Sequence, residues 1–417
     1  MIAAYIIIIL FLIIMLAMAY IKYKFGFWAS QPVFHIYDLA YMIYPPGIIN
    51  HGLPDKNKYT NFANIETKEF VQLSELKTTQ LVNFIKTNYL RNRDNIYAPE
   101  KGNVVPYFTS LTAPSFVSFY TEPTLMQDFS RQGLLGRQGF LGRQGLKKGT
   151  IIEDNEIVGI MTSRPTHICI KTDDPSTSSF DAYYVDYLCV KQGKRKKGIA
   201  PQLIQTHHYN QSYANKKISV SLFKREDELT GIVPLCVYST YGFSVDKWTK
   251  PPTMNAAYVV LEVNAQNSHL LFDYVKLNSG AFDITVMPDV SNIVELIKTQ
   301  NIFVNMVLLD DRIQCAYFFR KSCVSFDKGM EVLSCFASMK GDGVADDLFI
   351  HGFKISFWTI ADKNKFGFSA VEDISHNRAI IDNLIIKTHP IVVSPTAYFF
   401  YNFAYRTFKS SKCFIVN

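Results

Sequence analysis

A chain of 417 residues, 48% of them hydrophobic, carries enough apolar material for two ordinary domains or one large duplicated unit, which excludes a disordered polypeptide. A net charge of +7 suits an anionic partner such as nucleic acid, anionic lipid or a phosphorylated cofactor. Seven cysteines without a Cys-x-x-Cys pair argue against a zinc site or a disulfide framework and suit a reducing compartment.

The first stretch, Ile2 to Tyr20, has no charged side chain and is long enough to cross a bilayer as a helix. A cleaved signal peptide would show a basic region before its apolar core and a small-residue cleavage site after it, and neither is evident. Lys22 and Lys24 follow, so residues 1–21 are expected to be a single-pass membrane anchor with the rest of the chain in the cytosol. Next comes Phe27-Trp28-Ala29-Ser30-Gln31-Pro32-Val33, where an aromatic pair is also what a membrane interface favours. Tyr37 to Lys68 reads as irregular structure, and Phe70 to Tyr89 has broadly helical apolar spacing. Residues 131–145 hold three copies of Arg-Gln-Gly, an insertion with too few arginines to suggest nucleic acid. Ile151 to Ile160 and Arg164 to Lys171 read as a hairpin around Asp154-Asn155, leading into a strand from Ala182 to Val190.

The stretch from Val185 to Ile204 concentrates the chemistry. An apolar run at Tyr187 to Val190 reads as a buried strand, with Cys189 as core. Five of the seven residues from Lys191 to Lys197 are cationic, and Ile199, Leu203 and Ile204 then recur at helical spacing. Gly198 permits a tight turn, so free amides at the helix start and the lysines can face one phosphate group. Because the cations cluster in a single turn, a phosphorylated cofactor is preferred over nucleic acid. His207-His208 on the following helix point different ways, which favours a surface role over metal binding. No Ser-His-Asp or Cys-His arrangement stands out.

Beyond this, Ile218 to Phe223 is a further strand, and Pro251-Pro252 marks a boundary. A strand at Asp283 to Met287, a helix at Val290 to Gln300 and strands at Phe303 to Leu309 and Gln314 to Arg320, turning at Asp310-Asp311, suggest a second copy of the helix and hairpin arrangement.

Three of these stretches resemble one family. Arg195, Gly198 and Ala200 spell Arg-x-x-Gly-x-Ala, the pyrophosphate signature of the N-acyltransferases that use acyl-coenzyme A. Tyr-Leu-Cys-Val, the basic loop and Ala-Pro-x-Leu-Ile resemble the glycylpeptide N-myristoyltransferase pattern. Phe27 to Val33 resembles that family's Phe-Trp-x-Thr-Gln-Pro-Val, with Ser30 in place of Thr, and Tyr398 to Phe403 resembles its Tyr-Tyr-Leu-Tyr-Asn-Trp, 14 residues before Asn417. Asn88-Tyr89 matches too, but the family's acidic turn after it is here Arg91 to Asp94, with a single carboxylate. Fainter likeness lies at Phe366-Gly367-Phe368, Ala370 and Asn377, and at Thr230-Gly231, where this chain lacks an alanine that the family carries.

The resemblance implies an α/β (α+β) fold of two tandem acyl-CoA N-acyltransferase (GNAT-like) halves, each a mixed sheet flanked by helices, preceded by one transmembrane helix. Residues 22–250 would bind acyl-CoA and residues 251–417 the peptide. Myristoyl-CoA would be the acyl-donor substrate, with no permanent cofactor and no metal. Phe27, Trp28, Leu188, Cys189, Val190, Arg195, Lys196, Lys197, Gly198, Ile199, Ala200 and Pro201 would contact it, while Thr230 and Gly231 would lie near the peptide's amino terminus; for Thr230, a hydroxyl capping a turn is an equal reading. The backbone of Tyr187 and Leu188, on a splayed strand, would form an oxyanion hole worth roughly 3 kcal/mol per donor. The Asn417 carboxylate would deprotonate a glycine amine whose solution pKa is near 8, so that only about a tenth is nucleophilic at neutral pH. A monomer acting on N-terminal glycine peptides is expected. A short-chain acetyltransferase and a catalytically silent, membrane-tethered binding module stand as alternatives.

Overall fold

Residues 2–89, 96–127, 151–171, 179–226, 231–326 and 329–417 are described by a computed structural model. The 131–145 repeat, the Arg91–Asp94 turn and Thr230 lie outside them.

Helix α1 (Ile2–Lys24) forms where no Gly or Pro interrupts the run, and its apolar side chains stand exposed, Ile7 at 67% and Leu16 at 70%. Length and hydropathy over Tyr5–Lys24 suffice for this helix to span a membrane. Its end is fastened to the body. Lys22 Nζ sits 4.9 Å above the Tyr37 ring, and Ile21 packs so closely on Gly231 that a Cβ there would lie 2.8 Å from Ile21 Cγ2. Short helix α2 (Leu39–Ile43) follows, then α3 (Glu75–Asn88), capped by the Ser74 hydroxyl, and α4 (Lys101–Val104).

The strands are β1 (Gly47–Ile48), β2 (Ile65–Glu69), β3 (Ile96–Tyr97), β4 (Phe116–Gln127), β5 (Ile151–Ile170), β6 (Ser179–Val190), β7 (Val220–Glu226), β8 (Cys236–Ser244), β9 (Tyr258–Glu262), β10 (Ile284–Met287), β11 (Ile302–Leu309), β12 (Arg312–Phe326), β13 (Met330–Lys340), β14 (Phe368–Glu372), β15 (Val392–Tyr401), β16 (Phe403–Ala404) and β17 (Cys413–Ile415). Helices α5 (Ile199–Ala214), α6 (Ser268–Asn278), α7 (Val290–Lys298), α8 (Asp346–Asn364) and α9 (Asn377–Lys387) cover them. The main sheet runs β17-β10-β5-β6-β7-β15-β8-β14-β13-β12-β11-β9. On one edge the long β5 serves β10 through His167–Ile170 and β4 through residues 151–163.

The expected hairpin at Asp154-Asn155 does not form. Both residues pair in register with Thr124 and Pro123 of β4, so β5 runs on as a single strand. Asp310-Asp311 does turn: both take positive φ, +47° and +62°, the geometry of a tight hairpin between β11 and β12. The chain beyond Pro251-Pro252 does not build a separate sheet. Its β15 lies between β7 and β8, and its β10 and β17 extend the sheet from β5.

Two features place the site. Parallel strands β6 and β7 pair only from Ala182↔Val220 to Val185↔Phe223, although β6 continues to Val190 and β7 to Glu226. The strands therefore splay, as the family resemblance implies. Helix α5 then packs back on β5 through Ile199 and Leu203, which needs Gly159 to be bare: a Cβ there would lie 2.8 Å from Leu203 Cδ1 and 3.2 Å from Ile199 Cγ2. Gly159→Ala should lower the unfolding free energy by roughly 1–3 kcal/mol in urea titrations, as overpacking does. An unchanged midpoint would show that α5 is free to shift.

Candidate functional site

The turn after β6 is built to hold an anion. Lys196 and Gly198 both have positive φ, +63° and +78°, which bends the backbone around a concave stretch, and Gly198 is the N-cap of the 16-residue α5. Not every cation there faces outward. Lys191 is paired with Glu156 and Lys194 with Glu122 (2.6 Å), and Arg195 turns its guanidinium back to the carbonyls of Val190 (3.1 Å) and Asn88 (2.8 Å). Arg195 thus braces the turn, and Lys196 and Lys197 have no ion pair among the described residues. A cleft of about 410 Å³ opens here, lined by Leu188, Val190, the cationic turn and Ile199 to Pro201. Sequence placed Val190, Lys196, Gly198, Ile199, Ala200 and Pro201 at this point, and the fold brings them together, while Lys197 belongs to the same turn without lining the cleft. Cys189 faces the core, and burial pushes its thiol up to about 12, which leaves it unreactive.

A second, mainly apolar cleft of about 290 Å³ begins at Leu188 and runs through the splay, between Met161, Val185 and Ile204 on one side and Phe223, Trp28 and Tyr401 on the other. Trp28 stacks on Phe223 with ring centroids 5.7 Å apart, and Phe27 packs edge-on against Tyr59, so only Trp28 reaches this cleft. A third cleft of about 380 Å³, more polar than the second, lies across the splay, lined by Tyr97, Tyr107, Tyr184, Tyr187, Arg320 and Glu372 among others. It shares Tyr89, Asp186 and Lys224 with the apolar one. The three clefts are thus neighbours, the first two sharing Leu188 and the last two sharing Asp186.

A bulge makes that junction. Met161 pairs with Leu188 and Ser163 with Val185, so Thr162 alone stands opposite both Asp186 and Tyr187; its hydroxyl accepts the Tyr187 N–H at 3.1 Å. Asp186 is held by buried Arg164, whose Nε donates to both carboxylate oxygens at 3.1 Å and whose guanidinium lies between the Tyr107 and Tyr184 rings. Burial raises the Asp186 pKa against the opposing pull of Arg164 and Arg320.

Across the polar cleft stands a second ionic cluster. Glu372 accepts from Lys224 (3.2 Å), Arg320 (3.2 Å) and the Tyr238 hydroxyl (2.5 Å). Burial alone would raise this carboxyl, but the two cations outweigh it and hold its pKa below the usual range. Asn417 joins here: the residue is buried, its main-chain oxygen accepts from Arg320 Nη1 at 3.1 Å, and its side-chain amide donates to the Tyr398 hydroxyl at 3.0 Å. Gly231 instead lies beneath the end of α1 and lines none of the three clefts.

The histidine pair is not on the surface. His207 and His208 are buried and line the apolar cleft, because α5 turns both toward the sheet and β15. His207 bridges the hydroxyls of Ser118 and Ser163, each at 2.8 Å. Among the described residues no group of His, Cys, Asp and Glu is placed to hold a metal ion. Sequence reading missed Asp186, Arg164, Arg320 and Glu372. For the first, the available signal was a carboxylate interrupting an apolar strand.

No protein-family model and no curated protein matches this sequence. Solved structures do match in fold. Saccharomyces cerevisiae N-myristoyltransferase with bound myristoyl-CoA aligns over 93% of this chain and 94% of its own, with a TM-score of 0.68 at 12% identity. A second structure of that yeast protein, with bound myristoyl-CoA and inhibitors, covers 92% of this chain and 91% of its own at a TM-score of 0.68 and 12% identity. This chain therefore has the N-myristoyltransferase fold.

Burial lowers the pKa of His207 from 6.5 to about 3 and that of His208 to about 4. An unfolded chain protonates both rings near 6.5 while the folded one keeps them neutral, so stability falls as pH drops below 6.5. The loss should reach roughly 2 kcal/mol per ring at pH 5, read as a lower urea midpoint than at pH 7, and His207→Asn should flatten the dependence. An equal midpoint for wild type at both pH values would show that the rings protonate freely in the folded state.

Proposed function

We propose that this chain transfers a long acyl group, myristoyl in the first instance, from acyl-CoA to the amino-terminal glycine of proteins. The observation that carries it is the succession of three neighbouring clefts, cationic, apolar and more polar, that share Leu188 and Asp186 as lining residues. A molecule with a phosphorylated end and a fatty thioester fits the first two in that order, and an extended peptide fits the third. The likeness to a yeast enzyme solved with myristoyl-CoA supports the same reading.

In this reading Lys196, Lys197 and the amides at the start of α5 hold the coenzyme's phosphates, with Arg195 bracing the turn. The apolar cleft takes the acyl chain against Trp28 and Phe223, which excludes water from the thioester. Backbone amides of Leu188 and Tyr187 face the carbonyl oxygen as it gains charge; Tyr187 reaches it once its N–H leaves Thr162. The amine attacks the thioester directly and coenzyme A leaves as the thiol, with no enzyme-bound acyl intermediate. The Asn417 carboxyl group, buried beside Arg320 and Tyr398, serves as a proton acceptor. Residues 22–250 supply the acyl-CoA side, residues 251–417 the remaining wall of the peptide cleft, and α1 tethers a monomer to a membrane with Lys22 and Lys24 on the cytosolic side.

Purified full-length chain, given tetradecanoyl-CoA and a Gly-initiated peptide, should yield a peptide with one 14-carbon adduct by mass spectrometry and none on an Ala-initiated control. Preference for acetyl-CoA would instead assign a short-chain acetyltransferase, and no transfer from either donor a binding module. Lys196→Glu with Lys197→Glu should raise KM for the acyl donor by roughly tenfold or more, the scale of one charge-assisted hydrogen bond, with a smaller change in kcat. Appending one residue after Asn417 should lower turnover while acyl-CoA still binds; unchanged turnover would remove the carboxyl group from the mechanism.

A further inference from the structure

We infer that a fourth cleft, between α8, the end of α9 and the loop after β8, binds a nucleoside polyphosphate, its phosphates on Lys247, Lys250 and Lys354 and its base on Trp358. The cleft holds about 880 Å³, more than each of the three described above, and shares no lining residue with any of them. Strand alternation puts it on the far side of the sheet. Val332, Ser334, Ala370 and Glu372 line the polar cleft, while Leu333, Cys335 and Val371 pack with Phe353 and Phe357 of α8. Such a site works whether or not the chain transfers acyl groups.

Charge selects the ligand. Lys247, Lys250, Lys354 and Lys387 line the cleft, with Asp246 as the one carboxylate among its described lining residues. Lys387 lies in the last turn of α9, where a cation suits the helix dipole. No helix end accounts for Lys354, in the middle of α8, or for Lys247 and Lys250 in the loop. None of the four makes an ion pair among the described residues, and Lys354 Nζ finds only the Asn383 side-chain oxygen, at 2.6 Å. Burial, and after it the neighbouring Lys387, lower the Lys354 pKa. A chain of phosphates neutralises cations gathered in this way, each lysine meeting it as a point charge.

The aromatic wall selects the rest of the molecule. Two of the chain's three tryptophans line this recess. Trp248 is fixed: its Nε1 donates to the Thr388 hydroxyl at 3.2 Å and its ring stands edge-on to Phe357 at 5.2 Å, which ties the loop to both helices. Trp358 is half-buried, and its side chain has no ring or hydrogen-bond partner among the described residues. His351, Lys354 and Trp358 recur at helical spacing on one face of α8, so the indole stands one turn from the cation. An unpartnered indole beside clustered lysines suits a flat base joined to phosphates, because every base offers a π-face. A lipid headgroup also brings phosphate, but the end of α1 packs on Gly231, ahead of β8. The cleft opens beyond Ser244, at the other end of that nine-residue strand and roughly 30 Å along it.

Full-length chain in detergent micelles, titrated calorimetrically with ATP, should bind it with or without saturating tetradecanoyl-CoA. Lys196→Glu with Lys197→Glu, at the other cationic cleft, should leave that affinity within about twofold. Lys354→Glu, and separately Lys247→Glu with Lys250→Glu, should each weaken ATP by roughly tenfold or more at an unchanged urea midpoint. Trp358→Ala should weaken ATP by roughly fivefold or more and abolish the quenching of tryptophan fluorescence by ATP, while inorganic triphosphate, which has no ring, binds wild type and variant alike. ATP that does not bind, that tetradecanoyl-CoA displaces, or that only the Lys196 and Lys197 substitutions weaken overturns the site. Equal affinity of wild type for ATP and triphosphate overturns the nucleotide assignment. Vesicles containing phosphatidylserine that bind wild type and not the Lys354 variant, where ATP fails to bind, overturn it in favour of a lipid surface.

Discussion

The ladder between β6 and β7 lasts four residues on each strand and then stops, and the site depends on that interruption. Two parallel strands that stayed paired would fill the space with backbone hydrogen bonds. Once they part, main-chain groups and side chains of both edges face a gap in the middle of a sheet, the kind of opening in which an extended ligand is gripped by backbone. Phe223 and Lys224 from β7 and Asp186 and Leu188 from β6 line the gap, so the same break yields an apolar channel on one side and a polar one on the other.

The break is maintained by what surrounds it. Above, α5 lies close on β5 because Gly159 has no side chain, and Gly198 in the left-handed region starts that helix at the mouth of the cationic cleft. Below, ionic groups lie buried or half-buried in two clusters, Arg164 with Asp186 and Lys224, Arg320 and Glu372 with Asn417. Charges taken out of water are costly unless paired, and nothing in a hydrophobic core requires them. Their presence at one end of the splay marks a place built for charged chemistry.

Much of this was legible in the chain. The apolar opening of α1, the dense cations before Gly198 and the Asp310-Asp311 turn are local signals, each carried by a few neighbouring residues, and each appears where it was expected. What failed was of a different kind. Asp154-Asn155 looked like a turn because those residue types favour turns, but pairing with β4 overrode the preference. The histidine pair was expected at the surface because neighbours on a helix point different ways; the partners that bury His207, Ser118 and Ser163, come from distant strands. Asp186 was passed over inside an apolar run, since its partner Arg164 lies 22 positions earlier and is buried beside it only after β5 and β6 pair. Long-range pairing carries this information, and a linear reading of periodicity does not reach it.

The interleaving of β15 between β7 and β8 has an outcome for how the molecule is made. During synthesis, β7 and β8 leave the ribosome with an empty lane between them and must wait for more than a hundred further residues before the lane is filled. Until then two strand edges lie open to mispairing. The site between β7 and β8 therefore matures only once β15 has been made, when a strand from far along the chain slots into a sheet begun much earlier.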